Sequence, residues 1–140
     1  MRNTAWQKQV LIVHPDLRIL SSYQSLLSGN NFSVVVARYI PTTLLAITQH
    51  HCDLAIISSS IAEAGDGWTV AAVIKMAFPR SFIAVLAPGQ DVLTLQTAIN
   101  HGVQEIYDSE DSPDEVVKAI LSSSTRNQAA ADQTGVSHLQ

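Results

Sequence analysis

Five short apolar runs recur along the chain: Val10–Val13, Phe32–Ala37, Leu54–Ile57, Phe82–Leu86 and Val103–Tyr107. Segments of helical period separate them, and this alternation constrains the fold more than any other feature. The runs are rich in Val, Ile and Leu, and several lack polar alternation, as strands covered on both faces do. Strand followed by helix, five times over, predicts a single parallel sheet with helices on both of its faces.

Punctuation supports the helices. Asp16 is placed to cap a helix carrying Leu17, Leu20, Tyr23 and Leu27, with Gly29 to end it. Pro41 suits a first helical position, followed by Leu44, Leu45 and Ile47. A third helix from about Trp68 is expected to bury some of Val70, Val73, Ile74 and Phe78 before Pro79 stops it. Asp91 suits the cap of a fourth, with Leu95, Ala98 and Ile99 inside and Gly102 just beyond. Ser112-Pro113-Asp114-Glu115 has capping-box spacing ahead of Val116, Val117, Ile120 and Leu121. The apolar pattern stops after Leu121. Residues 1–8 then read as an N-terminal extension, 9–123 as the domain, and 124–140 as a disordered polar tail or linker.

Composition narrows the function classes. The 140 residues make one ordinary domain, 46% of them apolar and 14% charged, which is ample for a core. The eight basic residues are scattered singly, so no phosphate-binding stripe forms and direct nucleic-acid binding is not expected. No apolar run approaches a bilayer span, and no signal-peptide pattern opens the chain. The lone Cys52 has no disulfide partner and suits a reducing compartment, so the expected location is the cytoplasm.

The order of several pieces resembles the receiver domain of bacterial two-component response regulators. Val10-Leu11-Ile12-Val13 leads into a helix through Asp16, and Asp53-Leu54-Ala55-Ile56-Ile57 opens the third strand. Gly65-Asp66-Gly67 precedes the third helix, and His101-Gly102-Val103-Gln104-Glu105 leads to the fifth strand. The resemblance spans Gln9 to Ser123 and implies a flavodoxin-like (βα)5 fold, a doubly wound five-stranded parallel sheet of order 2-1-3-4-5. It also implies a site at the carboxyl ends of the strands. There, a working receiver has an acidic pair holding Mg²⁺, a phosphoacceptor aspartate, a Thr or Ser, a Lys and an aromatic switch. Metal and lysine are needed because a carboxylate attacks a phosphate dianion only once charge is neutralised.

Carried onto this chain, these positions hold other residues. The acidic pair falls on His14 and Pro15, leaving Asp16 as the one acidic remnant. The phosphoacceptor position is Ser58, the hydroxyl position Ala87 and the lysine position Ser109, followed by Glu110. The switch position is Ile106, with Tyr107 adjacent but facing the other side of the strand. The stretch from Ser58 to Gly67 is one residue longer than usual and lacks the usual proline. Asp16 alone makes no Mg²⁺ site, since that ion wants several oxygens. The chain therefore reads as a degenerate receiver, a pseudo-receiver with no catalytic, cofactor or metal residues, outside the aspartyl-phosphorylation cycle.

Other chemistries are weaker on the residues. Ser58-Ser59-Ser60 invites a phosphoserine switch, but small polar residues serving loop backbone is the simpler role. His14, Ser58 and Asp16 or Asp108 suggest a serine hydrolase, without the strained Gly-x-Ser-x-Gly elbow such enzymes use. His50-His51-Cys52 suggests a metal ligand set, but three consecutive ligands fit few geometries, and a solvated turn is expected. Trp68 and Phe78 are expected to pack. The function expected is non-enzymatic signalling by contact with another signalling protein, a second copy, or a fused output domain. The face from Asp91 to Leu121 is the one that the resemblance points to. The alternative is a small-ligand sensor in the vacated pocket, where His14 adds pH sensitivity.

Overall fold

A computed structural model of the chain describes residues 8–89 and 91–123. Its strands are β1 (Gln9–Val13), β2 (Ser33–Ala37), β3 (Leu54–Ser58), β4 (Phe82–Ala87) and β5 (Glu105–Asp108). Its helices are α1 (Leu17–Ser28), α2 (Ile40–Gln49), α3 (Asp66–Ala77), α4 (Val92–Asn100) and α5 (113–123). All strands pair in parallel in the order β2-β1-β3-β4-β5, as the resemblance implied. Residues 1–7 of the expected extension and the expected tail at 124–140 lie outside the described residues. Lys8, counted above with the extension, already joins the sheet, its carbonyl accepting the Ser33 N–H at 2.9 Å.

Alternation along the strands divides the core in two. Val10, Ile12, Leu54, Ile56, Ala84 and Leu86 pack with Leu20, Tyr23 and Leu27 of α1 and Val116, Val117 and Ile120 of α5. Leu11, Val13, Ala55, Ile57, Ile83 and Val85 face the other way, onto Ala46 of α2 and Val70, Ala71 and Ile74 of α3. A strand with apolar neighbours on both sides needs no polar alternation, which explains the continuous runs.

Several expectations for the helices fail in instructive ways. α1 ends at Ser28 with Gly29 as its C-cap, as expected, but Gly29 makes no use of glycine's freedom, since its φ of −66° is helical. The left-handed residue is Asn31 (φ 70°), because the closing bonds run from Asn31 N–H to Ser28 and from Phe32 N–H to Leu27. Asparagine tolerates that conformation better than most residues other than glycine. Pro41 is the second helical residue of α2, behind Ile40. That helix buries Thr43 and Ala46 and leaves Leu44 and Leu45 exposed. Thr43 is accommodated because its hydroxyl donates to the Tyr39 carbonyl at 2.8 Å. α3 starts two residues earlier than expected and buries Val70 and Ile74 as expected, with Val73 exposed and Phe78 capping the end. In α4 only Ala98 is buried, so Leu95 and Ile99 are not inside, and Leu17 of α1 is likewise exposed. β5 begins at Glu105, because Gly102 (φ 74°) turns the chain and the Val103 N–H closes α4 on the Ala98 carbonyl.

Candidate functional site

Register brings the singled-out residues to one edge. Val13 pairs with Ile57, so His14 and Ser58 lie level, one step beyond. Ser58 pairs with Leu86, and Ala87 with Asp108. The ladder continues past the strand ends, from His14 N–H to Ala37, Ser59 N–H to Leu86 and Ser109 N–H to Ala87. Backbone bonds therefore fix where this edge presents its side chains.

On the β1 side, the turn into α1 is closed by its own side chains. The Asp16 N–H donates to His14 Nδ1 at 3.0 Å, and the Asp16 carboxylate accepts the Arg18 N–H at 2.9 Å as the helix cap. Arg38, in the connection between β2 and α2, donates from Nε to the Pro15 carbonyl at 3.0 Å, with its guanidinium 5.4 Å from the Tyr39 ring centre. Burial lowers the His14 pKa below the ordinary histidine value, against an upward pull from Asp16. Asp16 itself is exposed.

Beyond β3 the loop is bound to itself. The Ser58 hydroxyl donates to the Ser60 carbonyl at 2.7 Å and takes the Ser60 N–H at 3.3 Å. The Gly65 N–H reaches Ser60 Oγ at 3.4 Å. Both serine hydroxyls are thus bonded to loop backbone. The residue that organises the loop is Asp66, whose carboxylate accepts the N–H groups of Ile61, Ala62 and Glu63 at 2.7–2.9 Å. Desolvation pushes its pKa upward, but those three donors outweigh it and hold the carboxyl below its usual value. Gly67 fits against β3's end only without a side chain, since a Cβ would lie 1.8 Å from the Ser58 carbonyl oxygen. The Gly65-Asp66-Gly67 stretch is thus no flexible loop: only Gly65 (φ 83°) uses glycine's freedom, and Asp66 and Gly67 already belong to α3.

On the far side Ala87 is buried and Ile106 packs beside it on the α2/α3 face. Tyr107 points to the opposite face, its hydroxyl donating to Glu105 at 2.6 Å. Ser109 is exposed, and Asp108 accepts the Glu110 N–H at 2.9 Å. A hydrolase would need His14 to take the Ser58 proton. Instead Nδ1 holds the Asp16 amide, and the Ser58 hydroxyl proton faces Ser60. Among the described residues, no group of three His, Cys, Asp or Glu side chains is placed to hold a metal.

The other candidates lie elsewhere. His50 and His51 are exposed at the amino edge of the sheet, with His51 Nε2 3.0 Å from Asp53 Oδ1. Cys52 is not in a solvated turn: it is buried, and burial raises its thiol pKa to about 12. A cavity of about 10 Å³ beside it has room for at most one water. Trp68 and Phe78 pack against the α2/α3 core, as expected. Sequence reading missed Asp66 and Arg38, because their partners are main-chain groups that carry no sequence signature.

No protein-family model and no curated protein matches the sequence. Solved structures do match. A response regulator receiver domain protein (CheY-like) from Methanospirillum hungatei superposes with a TM-score of 0.77 at 17% identity, covering 89% of this chain and 98% of that one. The signal receiver domain of an HD domain-containing protein from Pseudomonas fluorescens gives 0.75 at 22% identity, over 88% and 98%. A two-component response regulator from Clostridium difficile gives 0.76 at 17%, over 87% and 98%. The chain has the flavodoxin-like fold of CheY-like receiver domains.

Proposed function

We infer that the chain is a receiver-like signalling module that works by protein contact and does not accept a phosphoryl group on aspartate. The observation that carries this reading is Ser58. It ends β3 at the edge where a receiver's acceptor would stand, and its hydroxyl is bonded within its own loop. Around it, His14, Pro15, Ala87, Ile106 and Ser109 supply neither a metal-binding carboxylate pair nor a lysine, and Asp16 is engaged as a helix cap.

The partner is another signalling protein, a second copy or a fused output domain, met in the cytoplasm, with no nucleic acid held by this domain. α4 offers the surface for it: Val92, Leu95 and Ile99 share a face at helical spacing and are 69%, 50% and 76% exposed. Among the described residues, no helix is long and apolar enough to cross a membrane. The test is incubation with acetyl phosphate and Mg²⁺ followed by intact-mass and peptide analysis. No mass gain is expected; a phosphoryl group mapped to any aspartate overturns the reading.

A further inference from the structure

The turn between β1 and α1 is closed by a hydrogen bond that only one protonation state of a histidine can make. The Asp16 N–H points at His14 Nδ1 from 3.0 Å, so Nδ1 must offer a lone pair and the ring proton must sit on Nε2. A proton added to Nδ1 would set two donors against each other. We propose that His14 is a pH-sensitive latch on this turn, closed while the neutral ring holds the Asp16 amide and opened when the ring takes up a proton from solvent.

The surroundings favour the closed form near neutrality. His14 is half-buried, and its own turn supplies the Asp16 carboxylate, which is engaged with the Arg18 N–H of α1. From the β2 side comes Arg38, a permanent cation whose Nε donates to the Pro15 carbonyl. β3 and its loop bring Ser58, Ser59 and Ser60, none of which titrates in this range. Asp108 ends β5, beyond β3 and β4. Burial dominates, so the ring holds its proton less tightly than a free histidine despite Asp16.

The sign follows from linkage. A folded-state pKa below the unfolded value of 6.5 gives stability that is complete above that value and is lost as pH falls through the folded one. Opening also reaches the next strand, because Pro15 lies between the latch and Arg38. The latch works independently of phosphoryl transfer. It gives this edge of the sheet a proton as its input, whatever its response to phosphoryl donors.

The test is NMR on the full chain, following the His14 ring and the Asp16 amide from about pH 8 to about pH 5. Asp16 exchange protection, corrected for intrinsic rate, should fall about twofold to tenfold, the range of one net hydrogen bond, with the midpoint of the His14 ring. In His14→Asn the side-chain oxygen can accept the same amide without titrating, so protection should stay flat. Protection that is flat in the wild type, or falls equally in His14→Asn, overturns the latch. Should His14→Asn fail to fold, the wild-type midpoint decides: tracking His14 supports the latch, and tracking another histidine refutes it.

Discussion

α3 and α4 are neighbours on one side of the sheet and differ in how they are seated. The Lys75 stem of α3 lies under Gly102 at the end of α4, and the Trp68 ring sits 6.4 Å from that of His101. α3 buries Gly67, Val70, Ala71 and Ile74, and its amino end is bound to the loop behind it through Asp66. α4 is as apolar in sequence but buries only Ala98, leaving Val92, Leu93, Leu95 and Ile99 exposed. Apolar content alone therefore does not measure anchorage. Close backbone approach and satisfied loop amides fix one helix, while the other leaves most of its apolar side chains exposed.

The contrast fails first, if it fails, at Gly67. Gly67→Ala should cost at least about 4 kcal/mol or prevent cooperative folding, since the new carbon would meet a backbone oxygen that cannot swing aside. Gly65→Ala is the control, facing open space at positive φ, and should cost about 1 kcal/mol. Urea unfolding of both variants measures the gap; equal losses would mean α3 is not seated by close approach.

A smaller effect is expected from Asp66→Ala, about 1–2 kcal/mol for three amides left to water. Its pH signature sharpens the point. The Asp66 pKa is lowered from 3.8, so its contribution is complete above that value and is lost as pH falls through the folded value. Wild type and Asp66→Ala should converge in stability in strong acid, as acid titration of the two will show. The smallest effect belongs to α4: Ile99→Asp should change stability by less than about 0.5 kcal/mol. A loss of several times that would place Ile99 in the core and remove the difference between the helices.

The sheet order came from the resemblance to receiver domains, and the strand positions were legible because two covered faces leave continuous Val, Ile and Leu runs. Ser58 and His14 could be placed at one edge for the same reason, as parallel register carries strand ends together. The faces of α2 and α4 were not legible. Leu44, Leu45, Leu95 and Ile99 look like core, but on short helices small residues such as Thr43, Ala46 and Ala98 take the inward positions. The end of α1 at Gly29 was legible, but its left-handed residue was not: the closing hydrogen bonds put it at Asn31. Loop chemistry was hidden most deeply. Asp66 binds N–H groups, which every residue but proline has, so no spacing of residue types announces it.

Cys52 has a practical consequence for all of these experiments. It is the chain's one cysteine, 3% exposed, at the sheet edge opposite His14 and Ser58, with its thiol pKa at about 12. Alkylating reagents react with thiolate, so at mildly alkaline pH the native side chain contributes almost no background. A dye or spin label directed to Ser60→Cys or Ser109→Cys would therefore mark a single known place at the carboxyl edge. The wild-type thiol can stay where it is, and the core need not be disturbed to make the protein visible.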